Sequence, residues 1–193
     1  MKKKLLLFGF ITFAMSSCSV FFPYRVVSDE FKNTKKAIFA IDMTPKEYNT
    51  AITSSAITFE NALSDTTETI NVYFVLHRSS SSFKLEKKCF MKASGKSYEI
   101  SIENAETENR FAQNTTSTTT TVKDSAKIKT KLETTSNIDN WHEDRFIIRL
   151  TPQMIESVRN TDELLFRFYS GPEQATFRFS DWTLKQVKRV LDK

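Results

Sequence analysis

Residues 83–103 constrain this chain more than any other stretch. Two runs of strand character, 83–92 and 96–103, flank Ser94-Gly95, a pair suited to a tight primed turn, so the backbone should reverse there as an antiparallel hairpin. With those two residues as the loop, Ala93 faces Lys96, Met91 faces Tyr98, Cys89 faces Ile100 and Lys87 faces Ile102. That register lays Cys89 on the apolar face. A buried, apolar setting suits an inert core thiol better than a nucleophile.

Other stretches share the period of two. In residues 69–77, Ile70, Val72, Phe74 and Leu76 alternate with Asn71, Tyr73, Val75 and His77; both sets carry apolar groups, as expected of a central strand. Residues 37–43 and 56–60 read as earlier strands, and 145–150 as a later one with Phe146, Ile148 and Leu150 inward. Residues 164–170 and 175–180 form a second hairpin turning over 171–174. Its expected pairing sets Phe168 opposite Phe177, Phe166 opposite Phe179, and Arg167 opposite Arg178.

Helical signals are few. Thr151-Pro152 supplies a cap and an N1 proline for a short helix over 152–160, and Ser180 or Asp181 caps a terminal helix over 181–192 with Leu184, Val187 and Leu191 on one stripe. Thr44-Pro45-Lys46-Glu47 carries the same start and suggests a single helical turn. The 17 phenylalanines and frequent β-branched residues lean towards sheet, and only three glycines are present. The fold class expected is all-β, a mainly antiparallel two-sheet sandwich with those two helices. The alternative is α+β, a curved sheet carrying the terminal helix on one face.

Residues 104–126 are polar and end in a threonine run, Asn114 to Thr121. Such composition buries too little apolar area to order itself and suggests a loop, while threonine's β-propensity allows an edge strand over 115–122 paired with 127–133. Trp141-His142-Glu143-Asp144 reads as a loop before a strand.

The candidate site residues are sparse. Arg167 facing Arg178, with Arg149 on the outward side of another strand, suggests a patch for an anion or an acidic partner; the plainer reading is solvated arginines paired with Glu163 or Asp181. With two histidines, few glycines and no nucleophile elbow, the sequence nominates no catalytic residue, no metal ligand and no cofactor.

The start of the chain concerns location rather than fold. Lys2 to Lys4, an apolar run too short to span a bilayer as a helix, and Met15-Ser16-Ser17-Cys18 follow the plan of an export signal. This stretch resembles the signal peptide and lipobox of bacterial lipoproteins. The resemblance implies removal of residues 1–17, lipid attachment at Cys18 including palmitate, a short tether over 18–36 and a single β-rich domain over 37–193. Cleavage after Ser16 by an ordinary signal peptidase is the other reading. The aromatic residues 21–24 then either lie at the lipid headgroups or cover an edge of the core.

The whole chain carries 28 basic and 23 acidic residues, net +5, but three of those lysines precede Cys18 and no acid does, which leaves +2. That balance offers no argument for nucleic acid. The partners expected are the membrane, through the lipid, and an envelope protein or glycan. The location expected is the bacterial cell envelope, at the outer membrane, with the side it faces left open. The function expected is non-enzymatic binding or scaffolding. Hydrolysis of an envelope polymer is one alternative, and inhibition or immunity, with a protruding 111–126 segment entering an enzyme cleft, is another.

Overall fold

A computed structural model describes residues 24–30, 34–63, 69–103, 105–124 and 127–192. The leader, Cys18 and residues 21–23 lie outside the described residues. Ten described strands form two antiparallel sheets. One has the order β1-β2-β3-β4-β8-β7, and the other β10-β9-β5-β6. Their bounds are β1 Tyr24–Asp29, β2 Thr34–Met43, β3 Ile52–Leu63, β4 Thr69–Ser79, β5 Leu85–Ala93, β6 Lys96–Ser101, β7 Glu106–Asp124, β8 Lys127–Arg149, β9 Leu164–Ser170 and β10 Glu173–Arg178. Two helices, α1 Pro152–Arg159 and α2 Asp181–Leu191, complete an all-β sandwich.

Period-two patterning builds the core. Phe39, Phe59, Val72 and Ile148 lie side by side across four strands of the larger sheet, and Ile57, Phe74 and Phe146 form the next row. All seven are buried. The smaller sheet presents Cys89, Met91, Phe166, Phe168 and Phe177 to them. Phenylalanine rings join the two layers. Phe74 lies 5.2 Å from Phe166, 5.1 Å from Phe168 and 5.3 Å from Phe146, centroid to centroid, within the range where edge-to-face and offset pairs are favourable. Helix α2 packs its Leu184, Val187, Val190 and Leu191 into the same core. Asn61, buried on β3, is satisfied by donating to the Val190 carbonyl at 3.0 Å.

The hairpin at Ser94-Gly95 has the expected register, with Ala93 opposite Lys96, Met91 opposite Tyr98 and Cys89 opposite Ile100. Both turn residues have positive φ, 50° and 72°, as a type I′ turn requires. Burial pushes the Cys89 thiol up to about 12. With Cys18 replaced by serine, the native protein is therefore expected to resist a thiol reagent at pH 8 until denaturant is added. Fast labelling without denaturant would contradict the buried placement.

The second hairpin departs from expectation. Gly171 takes φ +59°, so Gly171-Pro172 alone forms the loop and Ser170 pairs with Glu173. A glycine in the first turn position followed by proline suits a type II′ turn, which places the closure nearer to β9 than expected. The register moves by two: Phe168 faces Ala175, Phe166 faces Phe177, Arg167 faces Thr176 and Leu165 faces Arg178. Glycine is required here twice over, since a Cβ at Gly171 would also come within 2.6 Å of the Phe83 ring.

Four local expectations are also corrected. Residues 44–47 form no helical turn, the chain bending instead at 46–49, because the segment docks on β10: the Lys46 N–H donates to the Thr176 carbonyl at 2.8 Å, and Glu47 Oε2 accepts the Thr176 N–H at 2.7 Å. Of the two readings of the polar segment the strand holds and the loop does not: β7 covers 106–124, and 115–122 pair with 129–136 rather than 127–133, while Trp141 to Asp144 lie inside β8 and not in a loop. The sheet also begins within the segment expected to act as a tether, with β1 paired to β2 from Tyr24 opposite Phe39 to Asp29 opposite Thr34. Tyr24 packs against the core, and the Arg189 guanidinium lies 4.2 Å over its ring.

Candidate functional site

Strands β7 and β8 outlast the sheet that holds them. Pairing of β8 with β4 runs from Trp141 to Arg149, whereas its pairing with β7 continues to Asp124 opposite Lys127, so, among the described residues, 111–124 and 127–140 pair only with each other. Those 14 register pairs make a two-stranded arm about 45 Å long at ~3.3 Å per residue. Every side chain described from Gln113 to Thr119 and from Thr134 to Asn140 is exposed.

The arm has two unlike faces. On the face continuous with the buried side of the sheet lie Phe111, Gln113, Thr115, Ser117 and Thr119, opposite Asn140, Ile138, Ser136 and Thr134 in order from the base. Phe111 is 76 % and Ile138 62 % exposed, and the two are diagonal neighbours on adjacent strands. The other face carries Asn114, Thr116, Thr118, Asn137 and Asp139. Cross-strand side-chain bonds stiffen the ribbon: Gln113 Nε2 donates to Ser136 Oγ at 3.0 Å and Asn114 Nδ2 to Asp139 Oδ2 at 3.2 Å.

An isolated two-stranded ribbon is marginal in water, so the direction of the arm depends on its base. On the inner face the base is a buried ion pair. Arg78 Nε donates to Asp144 Oδ2 at 2.9 Å, the same guanidinium donates to Ser82 Oγ at 2.8 Å and to the Phe83 carbonyl at 2.7 Å, and Thr107 Oγ1 donates to Asp144 Oδ1 at 2.6 Å. The ion pair therefore joins β4, β7, β8 and the 80–84 loop at one point. It closes the floor of a cleft of about 970 Å³ that also takes in His142, Asn109 and Lys84.

On the outer face, Glu143 lies among three partners. Arg145 and Arg110 bond to it, the latter at 3.6 Å, and His77 approaches at 3.7 Å. Glu108 bonds Arg110 at 2.6 Å and Arg145 at 3.6 Å. These charges tie the first residues of the arm to the sheet on the side opposite the buried pair.

The chemistry available in the cleft is limited. His142 has Nδ1 2.6 Å from Asn109 Oδ1 and Nε2 3.2 Å from the Ser80 carbonyl, so both ring nitrogens are engaged with acceptors rather than with a hydroxyl. His77 is on the neighbouring strand but on the opposite face, which keeps the two imidazoles from sharing a ligand. Among the described residues there is no group of three or more His, Cys, Asp or Glu able to hold a metal ion.

The three nominated arginines do not meet. Arg178 bonds Glu163 at 3.2 Å and lies opposite Leu165; this is the solvated pairing that the sequence offered as the plainer reading. Arg167 donates from Nε to Thr176 Oγ1 at 2.9 Å. It also faces Glu47: burial of that carboxyl raises its pKa, but hydrogen bonds from Thr176 and the charge of Arg167 outweigh this and hold it below the ordinary glutamate value. Arg149 is far from both, exposed at the end of β8. Cys18 lies outside the described residues.

Arg78 and Asp144 were not nominated, since an arginine after His77 and an aspartate after Glu143 look like ordinary strand-end polar residues. Their signal lies in parity: both continue the inward set begun by Phe74, Leu76 and Phe146. No protein-family model, curated protein or solved structure matches this chain in any of the three comparisons.

Proposed function

We propose that this protein is a lipid-anchored component of the bacterial cell envelope, held at the outer membrane through palmitate-bearing Cys18, and that it binds a partner without catalysis. The observation that carries the binding role is the arm. It extends 14 residue pairs beyond the sheet, with Phe111 and Ile138 exposed on one face, and a buried ion pair fixes its base. Scaffold-borne projections with large apolar side chains are where partner contacts concentrate their energy.

The anchor bears on what the arm reaches. Five residues lie between Cys18 and Tyr24, a span of at most about 20 Å when extended. Strand β1 runs away from the end of the sheet that the arm leaves, as its antiparallel register with β2 requires. A lipid on Cys18 would then hold the arm end of the domain towards the bilayer, which favours an envelope protein or glycan close to the membrane as partner.

The test is a shortened variant in which residues 112–139 are replaced by Asn-Gly, joining Phe111 to Asn140 through a type I′ turn. It should fold, keep palmitate labelling at Cys18, and recover the envelope partner of the full chain at least about tenfold less well, the loss a single hot spot gives. Equal recovery by both proteins would refute the arm as the binding element. Absence of palmitate on the full chain would refute the anchor. The same projecting geometry favours one second reading, an inhibitor whose arm enters the cleft of an envelope hydrolase. In that case the shortened variant loses inhibition of the enzyme rather than mere association.

A further inference from the structure

The side of the sandwich where β6 lies over the end of β8 is left open. Strand β7 pairs with β8 no further than Arg145, opposite Glu106, so, among the described residues, 146–149 of β8 have a strand neighbour on one side alone. The Leu150 N–H donates to the Ile70 carbonyl at 3.0 Å. In an antiparallel ladder that bond makes Asn71 and Arg149 a non-hydrogen-bonded pair. The N–H and C=O of Arg149 and of Ile147 therefore point away from β4, towards the open edge.

Strand β6 is open in the same manner. The Ile102 N–H donates to the Lys87 carbonyl at 2.8 Å, which turns the backbone groups of Ser101 and Glu99 outward. Between the two edges runs a groove of about 740 Å³, with Ile100, Phe146 and Ile148 as its apolar floor and Ile147 and Arg149 on its rim. The outer edge of β10 is treated differently, since residues 46 and 47 occupy the N–H and C=O of Thr176.

We propose that this groove binds an extended segment of a partner protein, which adds to the larger sheet as a strand beside residues 146–149, in line with β7 and antiparallel to β8. Four backbone groups, those of Ile147 and Arg149, provide the bonds. Strand addition of this kind draws affinity from the main chain and specificity from alternate side chains.

Charge selects the occupant. Outward along this edge are Arg145, Ile147 and Arg149; Arg145 is already bonded to Glu143 and Glu108, whereas Arg149 has no ion pair among the described residues. An acidic side chain beside Arg149 and an apolar one two residues later, beside Ile147, complement the rim. The residue between them points inward against Ile148 and should be apolar. Glu103 and Glu106 line the far end of the groove, so an acid is disfavoured there.

A second copy of this chain fits poorly. Two-fold pairing centred on Ile147 sets Arg149 opposite Arg145, and centring on Arg149 sets arginine against arginine. Centring on Ile148 leaves each Arg149 beside Ile147 without a counter-charge. The arginines thus discourage self-association at an open edge, a known hazard, while offering an acidic strand a partner.

The test is selection of random octapeptides displayed on phage against the full chain. Enriched peptides should carry Asp or Glu two positions before an apolar residue, with an apolar residue between. Against Arg149→Glu the acid should give way to Lys or Arg. Against Ile147→Pro, which removes an N–H the ladder does not use, a selected peptide should bind at least about tenfold more weakly at unchanged melting temperature, as expected for loss of a bond at a strand edge. Should the proline variant melt lower, the charge swap at Arg149 still decides. The variant lacking residues 112–139 should select the same peptides, because this site does not depend on the arm. Failure to enrich any sequence, a consensus unchanged by Arg149→Glu, or loss of selection in the shortened variant would overturn the proposal.

Discussion

Replacing Asp144 by alanine should cost about 3–5 kcal/mol of folding stability, measured as a lower urea midpoint, because it strands the Arg78 guanidinium in the core without its counter-charge. The side chains of Arg78 and Asp144 are only 3 % and 1 % exposed. Asp144 accepts two bonds from Arg78 and one from Thr107, so the loss releases three donors at once. Alternative solvation is scarce: one more guanidinium nitrogen is committed to Ser82 and the Phe83 carbonyl, and the pair lines the cleft while remaining almost wholly buried.

Replacing both charges, Arg78→Met with Asp144→Leu, should restore much of that loss, since apolar residues of similar volume often substitute for a buried pair without penalty. The double variant separates stability from orientation. It should fold and yet hold the arm less firmly, which hydrogen exchange at 107–111 and 140–144 would register as weaker protection than in the parent. Protection equal to the parent would show that the ion pair does not set the base.

Phe74→Ala should cost a comparable amount, about 3–5 kcal/mol, the range for removing a buried aromatic side chain from a packed core. Phe74 touches both layers, with Phe146 beside it on its own sheet and Phe166 and Phe168 across the interface. Its removal leaves a cavity bounded by three other rings, Phe146 held by β8 and Phe166 and Phe168 by β9, which cannot collapse freely inward. Small domains have about 5–15 kcal/mol in total, so this one change should move the urea midpoint by a large fraction. A cost under about 1 kcal/mol would mean that the site relaxes freely and that the ring layer is not the centre of the core.

Strand identity and the inward sets were legible wherever apolar residues alternate. Residues 69–77 and the Ser94-Gly95 hairpin illustrate this, since parity and a primed turn leave one register available. Turn chemistry decided the hairpin that was misplaced: Gly171-Pro172 closes in two residues because a positive φ at the first position is free for glycine, and the pairing shifts by two. The bends at 46–49 were hidden for another reason. Their partner, Thr176, lies far away in sequence, so the local cap signal was overridden by a tertiary contact.

The arm was obscured by composition. Threonine-rich sequence lacks the apolar period that marks a half-buried strand, because here neither face is buried. A different signal was present. Asn114-Thr115-Thr116-Ser117 is answered by Thr134-Thr135-Ser136-Asn137, a near mirror, and in the structure Asn114 faces Asn137, Thr116 faces Thr135, and Thr115 and Ser117 face Ser136 and Thr134. Antiparallel pairing of matched polar residues satisfies a ribbon through cross-strand bonds where hydrophobic burial is unavailable. The parity of Arg78 and Asp144 was readable in the same way, but charged residues at inward positions are ordinarily taken for strand ends.

The most direct measurement of the central claim is site-specific photocrosslinking in intact cells, with a photoreactive amino acid placed in turn at Phe111, Ile138, Asn114 and Val26. Val26 is an exposed control on β1, at the opposite edge of the larger sheet. A binding arm should give one discrete crosslinked species from Phe111 and Ile138, less from Asn114 on the other face, and none from Val26. Crosslinking that is equal at all four positions, or absent from the arm and present at Val26, would contradict it.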